Sequence, residues 1–434
     1  MKTVKIFTLG CKANQYDSQL IREKLLSAGY REIHNGAAAD LCVINTCTVT
    51  HHADSDSLNI MRRAIRQNPK ARIAVTGCLT ELDSDKIRNI KGVSVIVKNS
   101  DKENILPFLR SEFSGERQPL TAHPDKASVQ TISRFAGRNR AFLKIQDGCD
   151  NFCSYCKVPL VRGSSRSRLA GAIVQEARRL VDNGFKEVVL CGICLGAYGR
   201  DLTPKADLVD AIEQLEDIRG LLRIRLSSIE VKDITERLIG KMAASKKLCR
   251  HLHIPLQSGD DEILKKMDRS YSARDYARLI AKIRKHIPGI AITTDVMVGF
   301  PEESADNFMN TVRLVKKISP LKVHIFPYSR RPQTLSSRRY TRDIDPKIIK
   351  ARSLYLQKIC EQCALNYRRQ FLNQRMEVLF EGKSKPHPGF WEGYTGNYLK
   401  VFHKSGQKLT NKLITVKLKK IGGDYIFGDG SDTS

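Results

Sequence analysis

Cys149, Cys153 and Cys156 stand at C-x3-C-x2-C spacing in residues 147–156 (DGCDNFCSYC), directly after a short, largely apolar run at 141–145. Thiolates are the ligands that iron–sulfur clusters select. A four-iron cubane takes four ligands and this loop offers three, so one iron is left open for another molecule. A closed zinc site is the competing reading, but it calls for four ligands in two paired halves. No fourth Cys or His lies close by in the sequence.

A second set is dispersed. Cys11, Cys47 and Cys78 each follow a run that reads as a buried strand, at residues 4–9, 41–44 and 72–76, and the first and third come directly after a glycine. Residues 18–26 and 58–67 carry apolar side chains at helical spacing. Strands alternating with helices imply a parallel sheet whose strands end on one edge, and ligands bind in the crevice beyond that edge. The three cysteines should therefore converge, again as three thiolates with a free iron. A single cysteine at a strand end is as readily core. Three at matching ends favour a cluster. Cys42, inside a strand and alternating away from that edge, reads as core.

The elements that position these sets belong to a chain of 434 residues, 41% apolar and 28% charged, which suits a soluble globular protein of two or three domains. Lys and Arg outnumber Asp and Glu by 74 to 46, and a net charge of +28 is the electrostatic footprint of a polyanionic partner, most simply a nucleic acid. No apolar run reaches the roughly 18 residues that span a bilayer, and the first residues are too briefly apolar for a signal peptide. Twelve cysteines without an export signal point to metal or catalytic use in a reducing, cytoplasmic compartment.

The expected division is 1–115, then a polar linker around 111–140 with Ser114, Gly115, Pro119 and Pro124, then 135–370 and 373–434. The linker's basic end, 134–140, is a candidate phosphate contact or equally a solvated lead-in. Across 140–370, strands at 142–145, 187–190, 222–226, 251–256, 292–297 and 323–326 alternate with helices such as 172–183, 276–286 and 306–318. Six βα units predict a partial TIM-type barrel with its site at the C-terminal strand edge. The turns there are rich in glycine and polar residues, and Glu230, Gln257 and the serines could hydrogen-bond a ligand. Two further C-x2-C pairs, Cys191/Cys194 at a barrel strand end that could reach the site and Cys360/Cys363, lack a second pair to complete a zinc site; both stay unassigned, with packing the favoured reading. Beyond 372, short strands at 376–380, 398–402 and 414–418 predict a small OB-like β-barrel. Its excess of Lys and Arg, interleaved with Phe390, Trp391, Tyr394 and Tyr398, suits RNA, with cations for phosphate and rings for unpaired bases; the alternative is that the rings fill a small core.

With these pieces in place, nearly the whole chain resembles the radical S-adenosylmethionine (SAM) methylthiotransferases, a family with three domains in this order. The matching stretches are the C-x3-C-x2-C loop, residues 8–14 (TLGCKAN), 45–48 (NTCT), 76–78 (TGC) and, for the carboxy-terminal TRAM domain, 392–398 (EGYTGNY). Residues 162–168 (RGSSRSR), 223–230 (RIRLSSIE), 251–259 (HLHIPLQSG) and 294–301 (TDVMVGFP) are most similar to the MtaB-like branch, which acts on tRNA. The isopentenyladenosine branch usually has acidic residues where this chain has Ser164 and Ser165. Two positions depart from the pattern: Gln333 stands for a usual glycine, and Cys194 for a usual Asn or His.

The resemblance implies two 4Fe–4S clusters, one on Cys149, Cys153 and Cys156 and one on Cys11, Cys47 and Cys78. It implies SAM chelated at the open iron of the first, with Tyr155 against its adenine and Ser228, Glu230, Gln257 and Gly299 among its contacts. The implied reaction places a methylthio group on C2 of N6-threonylcarbamoyladenosine at position 37, with the tRNA anticodon arm as partner and a reducing electron donor. Alternatives are isopentenyladenosine or a ribosomal protein as substrate and, in another class, a non-catalytic iron–sulfur RNA-binding protein.

Overall fold

The computed structural model describes residues 2–34, 37–114 and 131–429. Gly115, Pro119 and Pro124 of the expected linker lie outside the described residues, whereas Ser114 closes a helix, Ile105–Ser114, that runs into the stretch read as linker. No helix among the described residues is long and apolar enough to cross a membrane.

The first five strands are β1 (Thr3–Thr8), β2 (Arg31–Glu32), β3 (Leu41–Thr46), β4 (Arg72–Gly77) and β5 (Val95–Ile96), and they form one parallel sheet in the order β2-β1-β3-β4-β5. All six residues of β3 are buried, as expected for a central strand covered on both faces. Val4, Leu41, Val43 and Ala74 pack on one side and Cys42, Ile44, Ile73 and Val75 on the other. Helices α1 (Lys12–Ser27) and α2 (His51–Gln67) both begin earlier than their apolar spacing suggests, and the Thr50 hydroxyl caps α2 by accepting from the Ala53 N–H at 3.1 Å.

The central region holds β6 (Arg140–Lys144), the short antiparallel pair β7 (Gln146–Asp147) and β8 (Arg166–Ser167), then β9 (Glu187–Cys191), β10 (Arg223–Leu226), β11 (His251–His253), β12 (Ala291–Val298) and β13 (Lys322–Pro327). β10-β9-β6 and β11-β12-β13 are parallel sheets, and a parallel bridge from Ser228 to His253 joins them into a curved set of six strands. β6 and β13 do not pair, so the barrel is open along one side. Ile224, Leu226, Leu252, Ile254, Ile292 and Val296 pack outward among the surrounding helices. Strand alternation therefore turns Arg140, Lys144, Glu187, Cys191, Arg223, Arg225, His251, His253, Thr293, Asp295 and His324 inward. The lumen is polar, unlike the branched apolar layers that fill a closed TIM barrel.

The last five strands, β14 (Arg375–Lys383), β15 (Phe390–Thr395), β16 (Lys400–Lys404), β17 (Leu413–Ile421) and β18 (Tyr425–Asp429), close into a barrel in the order β14-β15-β16-β18-β17. It seats against the N-terminal mouth of the six-stranded set. Arg223 donates to the Tyr394 and Glu377 carbonyls at 2.7 and 2.8 Å, and Arg225 to the Thr395 and Gly396 carbonyls at 3.3 and 3.2 Å. Arg140 pairs with Glu381 and lies over the rings of Tyr394 and Tyr398. Ala291 and Leu321 join the apolar core of the small barrel from the opposite side of the gap.

These contacts correct the reading of the aromatic residues. Trp391 is a core residue whose indole N–H donates to the Ser405 carbonyl at 3.2 Å, and Tyr398 stacks on His251 at 4.7 Å. Tyr394 and Tyr398 serve the seam between the barrels instead of facing solvent as base platforms. Arg140, at the basic end of the linker, is likewise an interior ion-pair residue. The half-buried rings that the small barrel does gather outside this seam are His387, Phe390, Tyr425 and Phe427.

The first sheet is fastened to the central barrel by a buried charge cluster. Asp17 of α1, fully buried, meets Lys102 at 2.6 Å, Lys144 at 2.5 Å and Arg162 at 3.4 Å. Burial alone would raise its carboxyl, but the three cations outweigh that and hold it at about 2. The native value is depressed, so this contribution is complete above the unfolded value near 4 and is lost as pH falls toward 2. The expected result is an acid-unfolding limb between about pH 4 and pH 2, worth roughly 2 kcal/mol. Circular-dichroism melts across that range should show it, and Asp17→Asn should flatten it while lowering stability at neutral pH.

Candidate cluster and cofactor site

Gly148 shapes the entry to the cysteine loop. Its φ is +77°, and a Cβ there would stand 1.9 Å from the Ser164 carbonyl oxygen. A larger residue would have to push the two sides of the loop apart. The loop then crosses over the C-terminal rim of the barrel, tied by the Cys149 N–H to the Gly163 carbonyl at 3.0 Å and the Ser154 N–H to the Met267 carbonyl at 3.0 Å. Cys149, Cys153 and Cys156 are free thiols, each partly exposed.

The three sulfurs sit in unlike environments. A hydrogen bond from Cys194 draws the Cys149 thiol down to about 7, which makes it a ready thiolate near neutrality. Burial raises Cys153, against the pull of Arg269, whose Nη1 donates to its sulfur at 3.3 Å. Burial pushes Cys156 up to about 12, although the Val158 N–H donates to its sulfur at 3.4 Å. A coordinating metal ion overrides such burial and deprotonates the thiol.

Of the two readings the sequence leaves open for Cys194, packing and reach into the site, the structure shows the second. Its sulfur lies beside Cys149 and within 3.6 Å of both Asn151 Nδ2 and Asp233 Oδ2. The sequence marks the position only as a departure from the family pattern; it does not name the partner, which is a loop more than forty residues earlier. Cys360 and Cys363 are buried as the packing reading has it, and Cys191, also buried, faces the barrel interior.

Around this loop the rim presents the other expected residues. Glu230 pairs with Arg269, which also carries the contact to Cys153. Gln257 has φ +64° and is buried, yet its Oε1 has no hydrogen-bond partner among the described residues. The Ser227 hydroxyl is similarly buried and unpartnered, and its neighbour Ser228 bridges to β11. Two orphaned polar groups on one rim fit a ligand that brings its own hydroxyl and amino groups. Tyr155 packs against the cluster of Ile263, Met267, Met297, Phe300 and Tyr328. Gly299 has φ +80° and its N–H donates to Glu303 at 3.0 Å, while the space a Cβ would occupy is filled by Ile349. Gln333 also takes a left-handed φ, +73°, the conformation a glycine adopts without strain.

Cys11, Cys47 and Cys78 follow β1, β3 and β4 and come together at the sheet's C-terminal edge, at the point where the strand order reverses. Gly10, with φ +92°, lies so close to Cys47 that a Cβ would meet its sulfur at 2.7 Å. Cys11 is exposed and the other two are buried; burial pushes Cys47 up to about 12 and raises Cys78 against the opposing charge of Arg162. The Cys47 N–H is held by Ser57 at 3.2 Å.

Arg162 connects the two sets, a role sequence reading missed because the residue ends a short apolar helix, Val158–Arg162. Its guanidinium is buried, donates to Asp147 of the cysteine loop at 2.8 and 3.0 Å, and reaches Asn14 and Asp17 on α1. It also stands within electrostatic reach of Cys11 and Cys78. Two three-cysteine sites from distant parts of the chain thus flank one fixed cation.

Comparison with known proteins agrees with this architecture. Residues 143–315 match the radical SAM superfamily, and residues 3–98 match a family described as uncharacterized protein family UPF0004. The chain is 39% identical over 433 residues to the threonylcarbamoyladenosine tRNA methylthiotransferase MtaB of Bacillus subtilis (strain 168), covering 98% of this chain and 95% of that protein. It is 34% identical over 426 residues to the tRNA-2-methylthio-N(6)-dimethylallyladenosine synthase of Pelotomaculum thermopropionicum, covering 96% and 95%. Among solved structures, the radical SAM methyltransferase TsrM from Kitasatospora setae aligns with a TM-score of 0.57 at 15% identity, over 77% of each chain, a likeness of fold.

Proposed function

Because the chain belongs to the radical-SAM methylthiotransferases, we propose that it converts N6-threonylcarbamoyladenosine at position 37 of tRNA to its 2-methylthio derivative. The observation that carries the reading is the pair of three-cysteine sites joined through Arg162. Attack on an aromatic C2–H and delivery of sulfur to the same carbon require both chemistries within reach of one base.

Cys149, Cys153 and Cys156 would hold one 4Fe–4S cluster with SAM, and Cys11, Cys47 and Cys78 a second. Bound there, these groups supply reductive SAM cleavage, hydrogen removal from C2 and the sulfur that replaces it. The chain's own residues orient the reactants. Tyr155, Ser228, Glu230 and Gln257 border the SAM position, with Arg269 fixing Glu230 beside Cys153, whereas Gly299 makes room for Ile349. The lumen beneath the rim receives the adenine. The basic surface and the small barrel grip the anticodon arm, whose loop bases are unpaired and readable. A reducing electron donor and a cytoplasmic location complete the reading.

The test is mass spectrometry of nucleosides from tRNA of cells lacking the gene, then restored with it. Loss and recovery of 2-methylthio-N6-threonylcarbamoyladenosine is expected. Loss of the 2-methylthio isopentenyl nucleoside instead would move the enzyme to its sibling substrate. An unchanged nucleoside profile would sink the tRNA reading.

A further inference from the structure

The lumen contains a polar group that the cluster and SAM sites do not use. His253 on β11, Asp295 on β12 and His324 on β13 present one ligand-competent atom each within 4.8 Å of one another. Strand alternation places Asp295 one layer below Met297, and so deeper in the barrel than the rim. The register sets Asp295 directly beside His324.

Their hydrogen bonds divide the group into a fixed half and a free half. His253 is held at both ring nitrogens, Nε2 by Asp295 at 3.1 Å and Nδ1 by the Thr293 hydroxyl at 2.9 Å. Thr293 in turn meets His251 Nε2 at 3.0 Å. His324 is exposed toward the open side of the barrel, and its ring makes no hydrogen bond among the described residues. The second Asp295 oxygen is likewise uncommitted among the described residues.

Two cations stand within electrostatic reach of the free half. Lys322 shares the inward face of β13 with His324, and Lys12, the residue after Cys11, stands within electrostatic reach of His324, His251, Cys191 and Tyr398. Neither lysine makes a hydrogen bond or ion pair among the described residues. Desolvation within the half-open slot, with the charges of Lys322 and Lys12, holds His324 below the ordinary imidazole value, so near neutrality it acts as an N–H donor and the lysines supply the charge. Two unpaired ammonium groups oppose a bound metal ion here. They favour an anion.

We propose that His324, Lys12 and Lys322 form a subsite for the carboxylate of the amino-acyl group on N6 of the target adenine, with Asp295 accepting from that group's carbamoyl N–H. The proposal rests on the function proposed above and names the part of the substrate that the lumen reads. An apolar N6 substituent would leave these groups desolvated and unpaired, so the same residues discriminate against it.

The experiment uses the full chain with its clusters reconstituted and anticodon stem-loop RNAs that differ only at position 37. One carries N6-threonylcarbamoyladenosine and the other the same nucleoside with its carboxylate converted to the neutral carboxamide. The wild type should lose at least about tenfold in kcat/KM on the carboxamide, mostly through KM. His324→Ala and Lys12→Gln should each lower kcat/KM on the acid by about tenfold and shrink the acid-to-amide preference to within about threefold. Iron content and melting temperature check that each variant is folded and loaded. Lys322→Gln, distant in sequence from any cysteine, gives an independent readout should Lys12→Gln lose iron. Equal turnover of both RNAs by the wild type would overturn the subsite and leave the function standing. No turnover of the acid RNA by protein that still cleaves SAM would overturn the function, and the subsite with it.

Discussion

Cys153→Ala should abolish the methylthiolated nucleoside and SAM cleavage together, whereas Cys78→Ala should abolish only the first. Each substitution removes one of three thiolates from its own site. The sites are built on separate elements: the loop over the barrel rim, and the ends of β1, β3 and β4. Anaerobic reconstitution followed by iron analysis should find roughly half the wild-type iron in either variant. Chromatography of 5′-deoxyadenosine then separates them, with a loss of a thousandfold or more for Cys153→Ala and retention in Cys78→Ala. The buried Cys78 also packs at the sheet edge, so its replacement by a small residue leaves the sheet's cores untouched. Equal loss of cleavage in both variants would show that the two sites do not act separately.

Arg162→Met should lower product formation by about a hundredfold while leaving both iron sites loaded. Arg162 fixes the cysteine loop through Asp147 and α1 through Asn14 and Asp17, and a displacement of about 1 Å between reacting centres is worth roughly that factor. Methionine fills a similar volume without charge. Lys144 remains beside Asp147 at 3.2 Å, and Lys102 and Lys144 remain beside Asp17, so neither carboxylate is left alone. The stability cost should therefore fall below the roughly 3–5 kcal/mol of a fully broken buried pair. Single-turnover assays should show SAM cleavage near the wild-type rate with product formation uncoupled from it. Coupled turnover at the wild-type ratio would show that Arg162 does not set the spacing.

The cysteine positions were legible because they follow strands whose apolar runs announce themselves, and a parallel sheet must deliver such ends to one edge. The open barrel and the small closed barrel were legible for the same reason of periodicity. What sequence could not show is which partner a side chain meets across the chain. Tyr394 and Tyr398 look like base platforms by composition, yet they lie under Arg140 and Arg225. Cys194 could be core or site by its position at a strand end, and only the structure shows that it meets Cys149. Arg162 stands out in the sequence only as part of a branch-specific stretch, because nothing local predicts that a guanidinium will be buried between two carboxylates. Gly299 shows the limit differently: glycine at a ligand-facing turn suggests room for a ligand, and here the room is taken by Ile349 from the helix Pro346–Arg369.

The unpaired edges of β6 and β13 make the central barrel a slotted tube, and a slot has a gauge. Its upper lip is bridged by the first sheet, which holds Arg162 after β6 and, through Thr48 and Asp54, Arg331 after β13. Its lower lip is bridged by the small barrel, which holds Arg140 of β6 on one side and packs Leu321, just before β13, on the other. No hydrogen-bond ladder sets the width between those lips; two flanking bodies do, like the jaws of a caliper. Flaws at either jaw, far from any cysteine, would be felt first as a change in what the slot admits.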